Sequence, residues 1–329
     1  MIDHSALRPI PRLLALALVT TVLAAGCSSS GSTGTASTTA LETTTTTTPA
    51  KALLDAACAG TLRVEDAGTV TNPDIKEASG IAASRVNAGR WWVHNDSGDS
   101  ARYFLIDITG VTRATVIVEG ATAHDWEDIA VGPPAADSGA ASVYLADIGD
   151  NASQRGDIQV YRMPEPIVAL DAVGATIPTT ADRLTFTYPD GAHDAETLIV
   201  DPDTGDLVIV TKDWSLSGHS EVFRAPAGLA PGSTTVLEKV ADLKLPAGTL
   251  VTGGDVTSDG SVVALRTYGS VNLYPRVPGQ PLWSAFSAAP CTGPLPIERQ
   301  GEAIGFGANG GAYATISEGA DPVLHLTHS

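Results

Sequence analysis

One pattern is written five times along this chain, and it constrains the fold more than any other feature. Each copy opens on an acidic or glycine-rich motif leading into a short apolar run: EASGIAAS (77–84), DWEDIAVG (125–132), DAETLIVD (194–201), GGDVTSDG (253–260) and GEAIGFGA (301–308). A second apolar run with a polar end follows: RWWVHNDSG (90–98), SVYLADIGDN (142–151), DLVIVTKD (206–213), SVVALRTYG (261–269) and GAYATISEG (311–319). Third runs lie at 102–110, 158–166, 220–226, 271–277 and 323–329, and four copies add a fourth, at 114–120, 183–189, 235–243 and 281–287. Short apolar runs bounded by Gly, Asp, Asn and Pro are a strand signature, and a fixed repeat of such units signals one blade per copy.

The fifth copy ends at Ser329 one strand short, while an unassigned strand, TLRVEDAGTV (61–70), precedes the first copy. A ring of four-stranded blades accounts for both facts, because the N-terminal strand then completes the last blade and no sheet edge is left open. The expected fold is an all-β, five-bladed β-propeller. A six-bladed ring is the alternative, since the second and third openings are spaced more widely than the others. The segment IVALDAVGATIPTTAD (167–182) fills that extra length and reads as an insertion loop. Ring closure also brings Cys58, just before the N-terminal strand, near Cys291, just before the fifth copy. In an exported protein a Cys58–Cys291 disulfide is the natural pairing, with two free buried thiols as the alternative.

Export is read from the N-terminus. Arg8 and Arg12 precede an apolar run from Leu13 to Ala25, too short to span a bilayer as a stable helix, and it ends in LAAGC. The small residues before Cys27 resemble a bacterial lipobox, which would make residues 1–26 a lipoprotein signal peptide and Cys27 the lipidated N-terminus. Several acyl chains, palmitate among them, hold a protein firmly to a membrane. An ordinary secretory signal with a nearby cysteine is the alternative. Residues 28–50, nearly all Ser, Thr, Gly and Ala, read as a disordered tether, leaving 51–329 as the propeller domain. The expected location is therefore the extracytoplasmic face of the cell membrane.

The formal net charge is −18. Removing residues 1–50 takes away Arg8 and Arg12 together with Asp3 and Glu42, so the domain keeps that charge. That charge argues against nucleic acid or an anionic membrane face as a partner. A monomer is expected, with an unidentified small molecule or envelope protein as partner.

In a propeller the innermost strand of each blade lines the central channel, and the opening motifs fall where those strands begin. Residues i and i+2 share a face of a strand, so Asp125 points with Glu127, and Asp194 with Glu196, while Asp128 points the other way. Glu77, Glu127, Glu196, Asp255 and Glu302 are the candidate metal ligands. Converging on the axis, their carboxylates would raise one another's pKa, and a hard dication, calcium above all, would relieve the repulsion. The competing reading gives these acids, and the His124 and His193 of the repeated AHDXE motif, backbone hydrogen bonds between blades. Lys212 and Arg266 stand at second-run ends, where they neutralise acids or clamp an anionic substrate.

Motifs such as WxHNDSG, DWEDIA, GDN and GEAI resemble those of bacterial propeller lipoproteins and, more broadly, of the calcium-dependent propeller superfamily that includes SMP-30/gluconolactonase, paraoxonase and esterase-like phytase. The resemblance covers nearly all of 58–329 in pattern. It implies an acidic channel mouth holding calcium, with Glu77 and Glu302 matching the glutamate that starts an inner strand and Asp255 standing where an Asp or Asn ligand belongs. Those hydrolases are mostly six-bladed, and the asparagine ligands of the SMP-30 type have no clear counterparts here. Two functions follow: a lipid-anchored binding or scaffold module with an acidic channel, or a calcium-dependent hydrolase of a lactone, ester or phosphoester. In the second, His94 or Glu127 would serve as the catalytic base.

Overall fold

A computed structural model describes residues 47–135 and 139–329; the leader, Cys27 and the tether up to residue 46 lie outside the described residues. The chain enters through helix α1 (Pro49–Ala59), which the sequence reading did not anticipate. Its signals are local: Thr48 Oγ1 accepts from the Lys51 amide, Pro49 starts the first turn, and Gly60 ends the helix at φ 67°. Ala50, Leu53 and Ala57 form its buried face. Strand β1 (Arg63–Thr69) follows.

Blade one is β2 (Ala78–Ala83), β3 (Arg90–Asn95), β4 (Arg102–Asp107) and β5 (Thr112–Glu119). Blade two starts with β6 (Trp126–Gly132), β7 (Ser142–Asp147) and β8 (Ile158–Pro164). The segment expected as an insertion loop then yields β9 (Ala175–Thr180), which returns to blade one and pairs in parallel with β5. Blade two is completed by β10 (Asp182–Thr187). Blade three is β11 (Ala195–Val200), β12 (Leu207–Thr211), β13 (His219–Ala225) and, after β14 (Thr234–Val236), β15 (Glu238–Lys244). The run read as one strand at 235–243 is thus two, because β14 pairs in parallel with β10 of the preceding blade before β15 turns back. Both parallel additions cap the outer edges of blades one and two.

Blade four is β16 (Val251–Val256), β17 (Val262–Thr267), β18 (Val271–Pro275) and the short β19 (Cys291–Gly293). The run 281–287, expected as its outer strand, is instead a 3₁₀ helix, Leu282–Ser287, which starts after Pro281 and buries Leu282 and Ala285 at the i, i+3 spacing that such a helix stacks on one side. Blade five is β20 (Gly301–Phe306), β21 (Ala312–Ser317) and β22 (Val323–His328), with β1 antiparallel on its outer side from Arg63↔His328 to Thr69↔Val323. The ring therefore has five blades and is closed by the N-terminal strand, as expected, and Cys58 and Cys291 are disulfide-bonded with Cα atoms 4.8 Å apart.

Inner strands β2, β6, β11, β16 and β20 are buried almost throughout, and each neighbours the next around the ring. Small residues make that approach possible: a Cβ on Gly253 would lie 2.7 Å from the Glu302 carbonyl oxygen. The apolar core is divided among five wedges, one between each pair of blades. Trp92, Tyr103 and Trp126 fill the wedge between blades one and two, and Ile199, Val208 and Val263 that between three and four.

Candidate functional site: an acidic channel mouth

Every inner strand carries a bulge at the same place against its neighbour. The register skips one residue between Ala78 and Gly80, Trp126 and Asp128, Ala195 and Thr197, Val251 and Gly253, and Gly301 and Ala303. The bulged residues are Ser79, Glu127, Glu196, Thr252 and Glu302. A bulge re-aims the side chain it carries, and here it does so beside the channel mouth. Two of the five use the position to join blades: Ser79 Oγ donates to the Glu127 carbonyl at 2.7 Å and Thr252 Oγ1 to the Glu302 carbonyl at 3.4 Å. The other three present carboxylates.

Those carboxylates belong to a chain of three overlapping groups. One oxygen from each of Asp96, Glu302 and Glu318 lies within 4.8 Å of the others; the same holds for Asp96, Asp125 and Glu127, and for Glu127, Asp194 and Glu196. Seven acids from blades one, two, three and five thus share one rim, with Asp96 and Glu127 as the links. Asp96 and Glu318 come from the ends of second strands, where the sequence shows HNDSG and ISEG.

Positive charge at the cluster comes from Lys212, whose ammonium contacts Glu196 Oε1 and sits 3.3 Å from Tyr268 Oη, and from Arg155, which pairs with Asp147 and whose charge also reaches Asp125. Tyr268 in turn donates to Glu302 Oε1 at 2.8 Å. The second oxygens, Glu196 Oε2 and Glu302 Oε2, are buried with no hydrogen-bond partner among the described residues, although both side chains are only 3% exposed. Burial and like charge show in the acids' protonation. Burial pushes Glu127 well above the usual carboxylate range, with Glu196, Asp96 and Asp125 adding to it. Asp96 is raised to about 6 by burial and by the charges of Glu302, Asp125 and Glu77. Burial lifts Glu318 to about 8, helped by Glu302. Burial also raises Glu196 in spite of Lys212, and Lys212, against its own desolvation, is held charged by Glu196.

Of the five expected ligands, the structure brings Glu127, Glu196 and Glu302 to this mouth. Glu77 precedes its bulge by two residues, the position of Asp125 and Asp194 in their blades; it stands in none of the three groups, though its charge reaches Asp96 and Glu318. Asp255 lies three residues beyond its bulge, deeper along the channel, where Oδ2 accepts from the Phe306 amide at 2.7 Å and Oδ1 from Val256 at 2.8 Å. Asp128 is used in the same way, accepting from Leu198 of the next blade at 2.9 Å. These two acids are interblade fasteners.

The expected base His94 is fully buried beneath the mouth, packed edge-on to Trp126, with Nδ1 2.7 Å from the Asn95 carbonyl oxygen; desolvation lowers its pKa to about 4. Arg266 is likewise internal, bound to Glu298 and to the Ala303 carbonyl at 2.7 Å. The two AHDXE histidines diverge: His124 is exposed, while His193 is half-buried between Tyr188 and Phe223. The arrangement offers a dense array of hard oxygen donors with excess negative charge.

A scan against protein-family models finds no match for this chain, and no curated protein matches it either.

Proposed function

We propose that the channel mouth binds a hard divalent cation, calcium in the first instance, and that the protein is a lipid-anchored binding module held through Cys27 on the extracytoplasmic face of the membrane. The observation that carries this reading is the pair of buried, partnerless oxygens, Glu196 Oε2 and Glu302 Oε2, among seven carboxylates whose neighbouring cations are Lys212 and Arg155. Buried charge without a partner is costly, and a cation accepting six to eight oxygen ligands removes that cost at several acids together. Glu127, Glu196, Glu302, Asp96, Asp125, Asp194 and Glu318 would supply the ligands. A loaded mouth is flanked by Trp214 and Tyr268, 50% and 41% exposed, which suits recognition of a small molecule or an envelope protein at this rim. Of the two expected hydrolytic bases, His94 is fully buried, and Glu127, which does reach the mouth, stands among the acids that would hold the cation.

Calorimetric titration of calcium into the full chain tests the proposal, with Glu302→Gln alongside. Saturating binding and a rise in melting temperature are expected, worth about 2.7 kcal/mol at a hundredfold excess over Kd. A chelator that leaves the melting temperature unmoved, with no calcium retained on elemental analysis, overturns it.

A further inference from the structure

The loop between β8 and β9 is braced along its backbone and left bare at its side chains. Asn87 Nδ2 donates to the Pro166 carbonyl at 2.9 Å, and the Val168 amide donates back to Asn87 Oδ1 at 2.8 Å. Arg90, itself buried, donates to the Ala169 carbonyl at 3.2 Å and to the Leu170 carbonyl at 2.5 Å, and Arg113 to the Ala172 carbonyl at 3.4 Å. Val168 turns into the core, whereas Ile167, Leu170 and Val173 are 82%, 85% and 67% exposed. Fixed display of three aliphatic side chains suits contact with an apolar phase. We infer that this loop, with the groove beside it, docks on a zwitterionic lipid surface; the inference rests on the lipid anchor proposed at Cys27.

Where the chain enters the domain decides the occupant. Inner strands start at the mouth, so the turns that follow them lie at the opposite end of the ring. Ser84 and Gly89 of blade one and Gly307 and Asn309 of blade five share a groove of about 480 Å³ there with Trp91 and Ile108. Arg90, which holds the exposed loop, lines the same groove. Helix α1 begins at this end too, since a Cβ on Gly311 would lie 3.2 Å from Pro49 Cβ. Cys27 stands 22 residues before Pro49. A chain of that length reaches at most about 75 Å, so the anchor keeps the loop close to lipid.

Tethering makes the contact effectively intramolecular, and three side chains of weak individual affinity then suffice. Asp171, exposed between Leu170 and Val173, holds the contact at headgroup level, because a carboxylate is costly in hydrocarbon. The opposite end is unsuited to this place, since its seven acids repel headgroup phosphates. Docked through the loop, the domain turns its mouth away from the membrane.

The acylated chain, reconstituted into phosphatidylcholine vesicles that carry nitroxide-labelled lipid, tests the docking. Cys58 and Cys291 are joined to each other, so an introduced cysteine is free to take a fluorophore. A label on Leu170→Cys should be quenched by the nitroxide, and one on Ala152→Cys, exposed just past β7 at the mouth end, should not. Adding Ile167→Ser/Val173→Ser should reduce the quenching at position 170 roughly twofold or more with the melting temperature unchanged. Protein that floats with the vesicles while position 170 stays unquenched overturns the docking and leaves the anchor standing; protein that does not float overturns both. Quenching at position 152 in place of 170 overturns the orientation and the docking with it. A 170 label that brightens without vesicles as protein concentration rises assigns the loop to a second copy and overturns the lipid contact.

Discussion

Asp255 Oδ2 accepts a hydrogen bond from the Phe306 amide at 2.7 Å, so a carboxylate of blade four fastens the backbone of blade five. Burial raises this acid to about 6, against the pull of the Phe306 and Val256 amides and of Arg85. A raised pKa means that the native state binds more protons than the unfolded chain between about pH 4 and 6. The contribution of Asp255 to stability is therefore greatest in acid and is lost as pH rises through that window, by about 3 kcal/mol. Asp255→Asn removes the slope while changing stability by a constant. Urea melts at pH 4 and 7 should show the variant gaining on the parent by about 2–3 kcal/mol as pH rises; parallel curves would mean that the native carboxyl is not raised by burial.

The Cys58–Cys291 bond closes 233 residues of sequence and ties α1 to β19 of blade four, while the following strand, β1, completes blade five. Opening it releases the junction at which the ring begins and ends. Loop-closure entropy places its contribution at about 5 kcal/mol. Cys58→Ser/Cys291→Ser, or the parent under a reductant, should melt roughly 10 °C lower. Calorimetry checks this, and a loss of only 1–2 °C would show that β1 holds the ring shut by pairing alone.

Much of this architecture was legible because a propeller repeats itself. Five openings, a missing strand and two cysteines gave the blade number and the closure. The mouth was legible only in part, and the reason is the bulge. Counting i, i+2 along a regular strand puts Glu77 and Asp255 on a par with the glutamates, but one inserted residue shifts the register and gives the shared position to Ser79 and Thr252 instead. Asp96 and Glu318 were visible as polar strand ends, yet nothing in a linear reading says that a turn of blade one and a turn of blade five lean toward the same axis. Strands β9 and β14 were misread because their partners belong to the neighbouring blade, a choice made by tertiary contact rather than by local pattern.

Glu302 should have effects of opposite sign with and without metal. Without calcium its charge works against Asp96 and Glu318. Glu302→Gln relieves that repulsion and keeps an acceptor for Tyr268. Its calcium-free form should be more stable than the parent by about 1 kcal/mol, or ~3 °C. Calcium affinity should fall at least tenfold, reversing the order of melting temperatures once the ion is present. A variant less stable than the parent in both conditions would mean that Glu302 serves the fold and not a cation.

Gly149 offers the cleanest separation of site from scaffold. It follows β7 at the rim, and its own amide donates to the Asp125 carbonyl at 3.2 Å. A Cβ built there would overlap Glu127 Oε1 and Asp125 Oδ2, the oxygens of two acids in one ligand group. Its φ lies outside the left-handed region, so alanine is tolerated by the backbone and the added methyl acts on the carboxylates alone. Gly149→Ala should therefore leave the far-ultraviolet spectrum and the calcium-free melting temperature within about 2 °C of the parent. Calorimetric calcium affinity should drop by an order of magnitude, since two oxygens are pushed out of a shared coordination sphere. Unchanged affinity would remove Asp125 and Glu127 from the ligand set and leave the cation to Asp96, Glu302 and Glu318.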